Sequence, residues 1–404
     1  MSTGKTNPFS AIDASLGYLY QVRSALLWAL RRMKVDPDFL VSIETLDDVT
    51  FETAGHIATE LLQTKHHLSR VASLSDACPD LWRTLRVWCE GYATSAIPLN
   101  ACLFLVTTGT VSVGSAASYL RADARDVGFA QRALDATAAA STSQANTAAY
   151  AAYLRASALA RTAILDRVTI IDNAPTITDL DSQLKGEVFW AAEKQHHVAF
   201  LERLEGWWLR RVLVQLVNAA KDRIGSGEIE DKMADLREQF KQGSLPIDDD
   251  ILEFVLDDAA EADYLTFNFV RQLGLIQAGK RRVAAAIRDY YRAFEQRSRW
   301  LRDDLIGGLD LDKYENRLAE EWELIFEAMR DELGEAAADD AKLQAARSVL
   351  AWAERSMIPI RPYVTEPFLT RGSLHMLADD IRIGWHPDFR EHLSELLSRR
   401  ENET

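Results

Sequence analysis

Apolar residues recur at helical spacing near the start of the chain. Leu19, Val22, Leu26, Ala29 and Met33 fall three or four apart, which predicts an amphipathic helix over about 15–34. The pattern then turns to β-branched residues in VSIETLDDVTFE (41–52), a turn-like TAGH (53–56) and IATELLQTKHH (57–67), predicting a β-hairpin. DLWRTLRVWCEGY (80–92) predicts a second helix and the apolar run ACLFLVTTGTV (101–111) a buried strand. SAASYLRADARDV (115–127) opens another helix, whose first N–H groups would be available to a phosphate if they faced the sheet. An Ala-rich helical stretch over 127–160 leads to a last strand in RVTIIDNAP (167–175). This order is that of a small α/β domain with a mixed central sheet.

From about residue 180 the periodicity is helical nearly throughout. One or two long amphipathic segments end near Gly225 and Gly227, and GSLPIDDD (243–250) breaks the pattern. A further helical series reaches about residue 356, where MIPIRPYVTEP (357–367) interrupts it before a C-terminal tail. Two domains are therefore expected, at 10–175 and at 176–404, the second all-α.

Charge sharpens this division. Residues 1–175 carry 16 acidic and 15 basic side chains, whereas residues 176–404 carry 45 and 31, so the acidity belongs to the second half. A near-neutral first half grips DNA weakly by itself, which points to oligomerisation or to a partner as the source of affinity. Three cysteines, none in a C-x-x-C pair, argue against a disulfide framework or zinc site and for a reducing cytoplasm. No run of 18 apolar residues occurs, and the opening MSTGKTNPFSAID has no signal-like apolar stretch. TGKT (3–6) imitates the end of a P-loop, but no glycine-rich loop or strand precedes it.

The hairpin gathers the candidate chemistry. Gln63 and Lys65, two apart on a strand, share a face. With a turn near 54–55, Glu44 to Asp48 lie across from Leu61 to Lys65. Such a patch holds carboxylates, an amide oxygen and an ammonium. The oxygens suit Mg²⁺ (or Mn²⁺), which polarises a phosphate and acidifies water, while lysine orients that water. Asp47 competes with Asp48, since alternation along a strand lets only one face inward; Asp48 is preferred.

GYLYQ (17–21), IETLDD (43–48), LLQTK (61–65) and DLWRTLRVW (80–88) resemble the dsDNA endonuclease domain of bacterial anti-phage systems. That domain is a branch of the PD-(D/E)XK superfamily in which Gln often replaces the Glu of the E-x-K motif. The resemblance implies a restriction-endonuclease-like α+β or α/β fold at the N-terminus. It implies Asp48 as the metal-binding acid, Gln63 and Lys65 as the (E/Q)xK pair, and Glu44 and Gln21 as polar positions beside the site. The implied metal set is Asp48, Glu44 and Gln63, with Gln21 and Asp47 in support.

FLERLEGWWLRRVLVQL (200–216), FVRQLGLI (269–276), AIRDYYRAFEQRSRWLRDDLI (286–306) and GWHPDF (384–389) are similar to the effector subunit of Lamassu-type defence, also called ABC three-component systems. This implies a nuclease for double-stranded DNA, held inactive by an SMC-like ATPase and a small third subunit. Release and homo-oligomerisation, to a dimer or tetramer, would activate it. Two other readings fit the sequence: a cyclic-nucleotide-regulated defence endonuclease, and a non-catalytic scaffold of an ATPase complex with a vestigial nuclease fold. The helical second half counts against the first, and Asp48, Gln63 and Lys65 count against the second.

Overall fold

The computed structural model describes residues 12–66, 73–123, 125–218, 222–334 and 337–394. TGKT (3–6) and His67 lie outside them. The chain divides into two compact units between Leu236 and Arg237.

In the first unit, helix α1 (Ile12–Arg32) buries Val22, Leu26 and Ala29 from the apolar stripe and leaves Leu19 exposed. Strands β1 (Leu40–Ile43) and β2 (Val49–Glu52) follow. The single strand expected over 41–52 is thus broken in two. The acidic run ETLDD favours a turn over a strand, and Glu44 adopts a left-handed conformation (φ 53°) where the chain reverses. β1 and β2 pair antiparallel, with Ile43 opposite Val49. β2 then pairs antiparallel with β3 (Ala58–Lys65), closed by Thr53 N–H donating to Ile57 O at 2.9 Å.

Next come β4 (Ser73–Leu74), helix α2 (Pro79–Ala93), β5 (Cys102–Thr107) and β6 (Thr110–Val111). Helices α3 (Val127–Ala140), α4 (Thr147–Arg155) and α5 (Ala158–Leu165) lead to β7 (Val168–Ile171). The sheet order is β7-β5-β3-β2-β1, with β3, β5 and β7 mutually parallel; β4 and β6 form a separate parallel pair. Parallel neighbours need a crossover, which α2 supplies from β3 to β5 and α3 to α5 supply from β5 to β7. Leu61, Leu103, Leu105, Val168 and Ile170 pack with Trp82 and Trp88 of α2 in one buried cluster. Phe104, pointing the other way by alternation, meets Trp28 of α1 at 6.4 Å between ring centres.

The compact unit continues past residue 175. It adds α6 (Leu180–Glu187), α7 (His197–Val217), β8 (Ile224–Gly225) and the start of α8 (Ser226–Gln239). Arg23 of α1 pairs with Glu205 at 2.6 Å, and the Trp208 indole donates to Val22 O at 2.9 Å. Trp208 is fully buried, and its neighbour Trp207 is only partly so. β8 pairs antiparallel with β1 and becomes the sixth strand of the sheet. Residues 176–236, expected with the helical half, therefore complete the α/β unit. A two-residue strand between helices leaves no alternation to read.

The second unit is helical: α9 (Asp249–Leu252), α10 (Asp258–Tyr264), α11 (Asn268–Leu275), α12 (Lys280–Arg302), α13 (Gly308–Leu333), α14 (Asp339–Arg355) and α15 (Pro367–Asp379). α15 lies where the sequence pattern offered only a tail. It buries Phe368, Leu369, Thr370, Ser373, Leu374 and Leu377 among others, so its burial runs around the helix and no single apolar stripe marks it. Proline opens it, at the position where a missing N–H costs nothing. GWHPDF is core. Trp385 is fully buried, the Trp322 indole donates to Gly384 O at 2.8 Å, and a Cβ on Gly384 would strike the Phe389 ring at 2.2 Å. No helix among the described residues is long and apolar enough to cross a membrane.

Candidate functional site

Of the residues singled out on the hairpin, Asp47, Asp48, Gln63 and Lys65 lie where β2 begins and β3 ends, and Glu44 lies at the start of the connection that leads there. Glu44 N–H donates to Asp48 O at 3.1 Å and so closes the five-residue connection between β1 and β2. Helix α1 supports this connection from one side: the Gln21 amide donates to the same Asp48 O at 2.6 Å. α7 supports the strand that enters it. The Gln215 amide, fully buried, accepts from Ile43 N at 3.1 Å and donates to Ile43 O at 3.3 Å. The turn is therefore held by two helices rather than left to its own propensity.

Both aspartates lie before the first residue of β2, so strand alternation does not separate them; their contacts do. Asp48 Oδ2 accepts from Thr64 N at 2.7 Å and from Thr64 Oγ1 at 2.9 Å, tying the connection to β3. Asp47 is 8% exposed, and its Oδ2 accepts from the Trp88 indole of α2 at 2.8 Å while Oδ1 accepts from Asp48 N at 3.0 Å. Burial pushes the Asp47 carboxyl up to about 6; the Trp88 hydrogen bond opposes this, the Asp48 charge adds to it, and the Lys65 charge opposes it. Asp47 is thus within electrostatic reach of Lys65.

Gln63 is 7% exposed, and its amide makes no side-chain hydrogen bond among the described residues. Lys65 is half-buried and pairs in register with Thr107 of β5, whose neighbour Thr108 donates its N–H to Lys65 O at 3.2 Å. Glu44 stands apart. It is exposed, and its charge joins burial in pushing the Tyr18 phenol up. Glu44, Asp47 and Asp48 do not form a group of three with oxygens all within 4.8 Å of one another; among the described residues only His386, Asp388 and His392 form such a group. There Asp388 is engaged by Lys342 Nζ at 2.7 Å, and His386 Nδ1 accepts from Asp388 N at 3.1 Å.

Thr64 and Trp88 were not singled out as individual residues in the sequence. Trp88 lies inside DLWRTLRVW but reads there as an ordinary core aromatic, and Thr64 as the spacer of Q-x-K. The helix start at 115–116 is not an open phosphate site: residues 116–120 form a short 3₁₀ helix, and Ala116 N donates to Asp76 Oδ1 at 2.6 Å.

The site's donors are all oxygens, two carboxylates and an amide, with an ammonium beside them. That set fits a hard divalent cation and fits zinc or a thiolate-bound metal poorly. No curated protein matches the chain. Residues 269–393 match the family of C-terminal domain 7 of the ABC-three component (ABC-3C) systems, so the helical second unit contains a domain similar to those of ABC-3C systems.

Proposed function

We propose that the chain is the effector subunit of an ABC-3C defence system and cleaves double-stranded DNA with a divalent metal, Mg²⁺ or Mn²⁺. The observation that carries this reading is the nearness of the buried Asp47 carboxyl to the Asp48 and Lys65 charges where β2 begins and β3 ends, with Gln63 two residues before Lys65 on the same strand face. The domain match at 269–393 supports the defence context. Asp48 and the Gln63 amide would hold the metal, with Asp47 once ionised and Glu44 toward solvent. A cation there would polarise a phosphate and acidify a water.

The remaining work belongs to the chain's own groups. Lys65 orients the attacking water and offsets charge that develops on the phosphate. Thr64 and Trp88 fix the two carboxylates, so little rearrangement is needed when substrate arrives. Gln21 fixes the backbone between them. In this proposal an SMC-like ATPase and a small third subunit restrain the effector, and homo-oligomerisation accompanies its release, in line with the Lamassu-type resemblance.

The test is plasmid cleavage by the purified full chain over a range of concentrations, with Mg²⁺, with Mn²⁺ and with EDTA. Linearised or fragmented plasmid is expected with either metal and intact plasmid with EDTA. The melting temperature should not change on chelation, because a site with few protein ligands makes the metal catalytic rather than structural. Intact plasmid under every condition would favour the scaffold reading.

A further inference from the structure

Helices α12 and α15 of the second unit touch backbone to backbone. A Cβ on Gly372 would lie 2.1 Å from Asp289 O and 2.5 Å from Ala293 Cβ, so glycine is what permits the approach. Beside this crossing lies a cavity of about 300 Å³, lined from α12, α14 and α15. That is the lower end of the range for small-ligand sites, roughly 300–1,000 Å³.

The charged lining is unequal. Arg281, Arg282, Arg288 and Arg371 face only Asp289 and Glu354, in a unit that is acidic as a whole. Glu354 is committed to Arg282 by two hydrogen bonds of 2.8 Å. Asp289, 4% exposed, accepts from Arg371 Nε at 2.6 Å. These pairs orient Arg282 and Arg371 and leave the other two guanidiniums without a comparable partner. Arg288 Nε lies 3.9 Å from Asp289 Oδ1, and both atoms, although buried, have no hydrogen-bond partner among the described residues. Arg281 forms no salt bridge among the described residues.

His375, one turn after Arg371 on α15, lines the same cavity. It is 3% exposed, and its Nδ1 is buried without a hydrogen-bond partner among the described residues. Burial and the Arg371 charge push the imidazole down to about 3, so it is neutral, with one ring nitrogen a donor and the other an acceptor. A buried polar atom left unmatched is costly. On the next turn of α12, Arg292 is pushed down by burial and then by the Arg288 charge; the Asp289 charge opposes this and the Arg371 charge adds to it.

We propose that this cavity binds a phosphate group, held by Arg288, Arg371 and His375, with Arg281 at its edge. The surplus of two positive charges matches a phosphate dianion better than a single carboxylate. Donors arriving from two helices suit a tetrahedral oxyanion, and arginine forks match phosphate geometry. The inference does not depend on the nuclease reading.

The experiment is calorimetric titration of the full chain with inorganic phosphate and, in parallel, with adenosine monophosphate, at constant ionic strength set with chloride. Saturable binding is expected, weakened about 10- to 100-fold by Arg288→Gln, the loss expected for a hydrogen bond to a charged group. Arg281→Gln serves as the milder second variant. Arg371→Gln is avoided, because it would leave Asp289 buried and unpaired. Tighter binding of the monophosphate assigns the site to a phosphate ester, and equal binding assigns it to free phosphate. No saturable binding of either, or affinity unchanged by both substitutions, overturns the proposal.

Discussion

The Trp88 indole and the Asp47 carboxylate are joined at 2.8 Å in a place where both are buried, at 1% and 8% exposure. One is a core residue of α2 and the other lies in the acidic turn before β2, 41 positions earlier. This bond couples the packing of the sheet to the protonation of a candidate site carboxyl, and its consequence can be measured.

Asp47 should make the folded chain less stable as pH rises. Its carboxyl moves from 3.8 to about 6 on folding, so between those values the folded chain holds a proton that the unfolded chain has lost. Stability therefore falls through that window and levels off above about pH 6, by roughly 3 kcal/mol at most for this shift. Asp47→Asn removes this fall. The asparagine also loses one of two acceptors, a cost of about 1 kcal/mol that does not vary with pH. Denaturant unfolding in EDTA at pH 4.5 and 7.5, for both proteins, should show the variant gaining relative to wild type at the higher pH. A pH-independent difference would refute the burial of an ionisable Asp47.

Lys65→Ala should abolish cleavage and leave the fold intact. Lys65 is half-buried at the end of β3 and makes no salt bridge among the described residues, so its removal should cost about 0.5 kcal/mol or less. The cleavage rate should drop by about 10²–10³, the loss typical of one preorganised electrostatic group. Unfolding and cleavage measured on the same preparation separate the two effects. A folded variant that cuts at the wild-type rate would remove Lys65 from the mechanism.

The sequence made the long periodic elements legible, because an apolar stripe such as Val22, Leu26 and Ala29 is a local signal of burial. It also placed Gln63 and Lys65 on β3, since both lie inside an eight-residue strand. The break at Glu44–Asp48 was harder to see. Its cause is partly distant, in the Gln215 amide that holds Ile43 from α7 and the Gln21 amide that holds Asp48 from α1. The hydrogen bond from Trp88 to Asp47 has no local signature either. α15 was hidden for the opposite reason, since burial around the helix erases the periodicity that would announce it.

Cleavage should depend on assembly. Residues 1–175 carry a net charge of −1 and residues 176–404 a net of −14, so the chain has little electrostatic hold on DNA beyond local contacts. Joining several copies raises effective concentration on one DNA molecule without new contacts, and cutting both strands draws on two sites. Specific activity should rise with protein concentration in step with a dimer or tetramer seen by light scattering. Constant specific activity from a monomer throughout the dilution series would contradict the assembly model.

Gly372→Ala should damage the second unit through sterics alone. Its new methyl would lie 2.1 Å from the Asp289 carbonyl oxygen and 2.5 Å from Ala293 Cβ. The first contact is with backbone, which cannot swing aside, so α12 and α15 must separate. Overpacking of this kind costs about 1–3 kcal/mol, and more where the backbone resists. Gly206 is the control. It lies inside α7 with nothing within 4 Å of its Cβ position, so alanine there should stabilise by about 0.5–1 kcal/mol through helix propensity. Thermal and denaturant unfolding of both variants should move in opposite directions. If Gly372→Ala melts like wild type, the close crossing of α12 and α15 is wrong, and with it the wall that holds Arg371 and His375 beside Arg288.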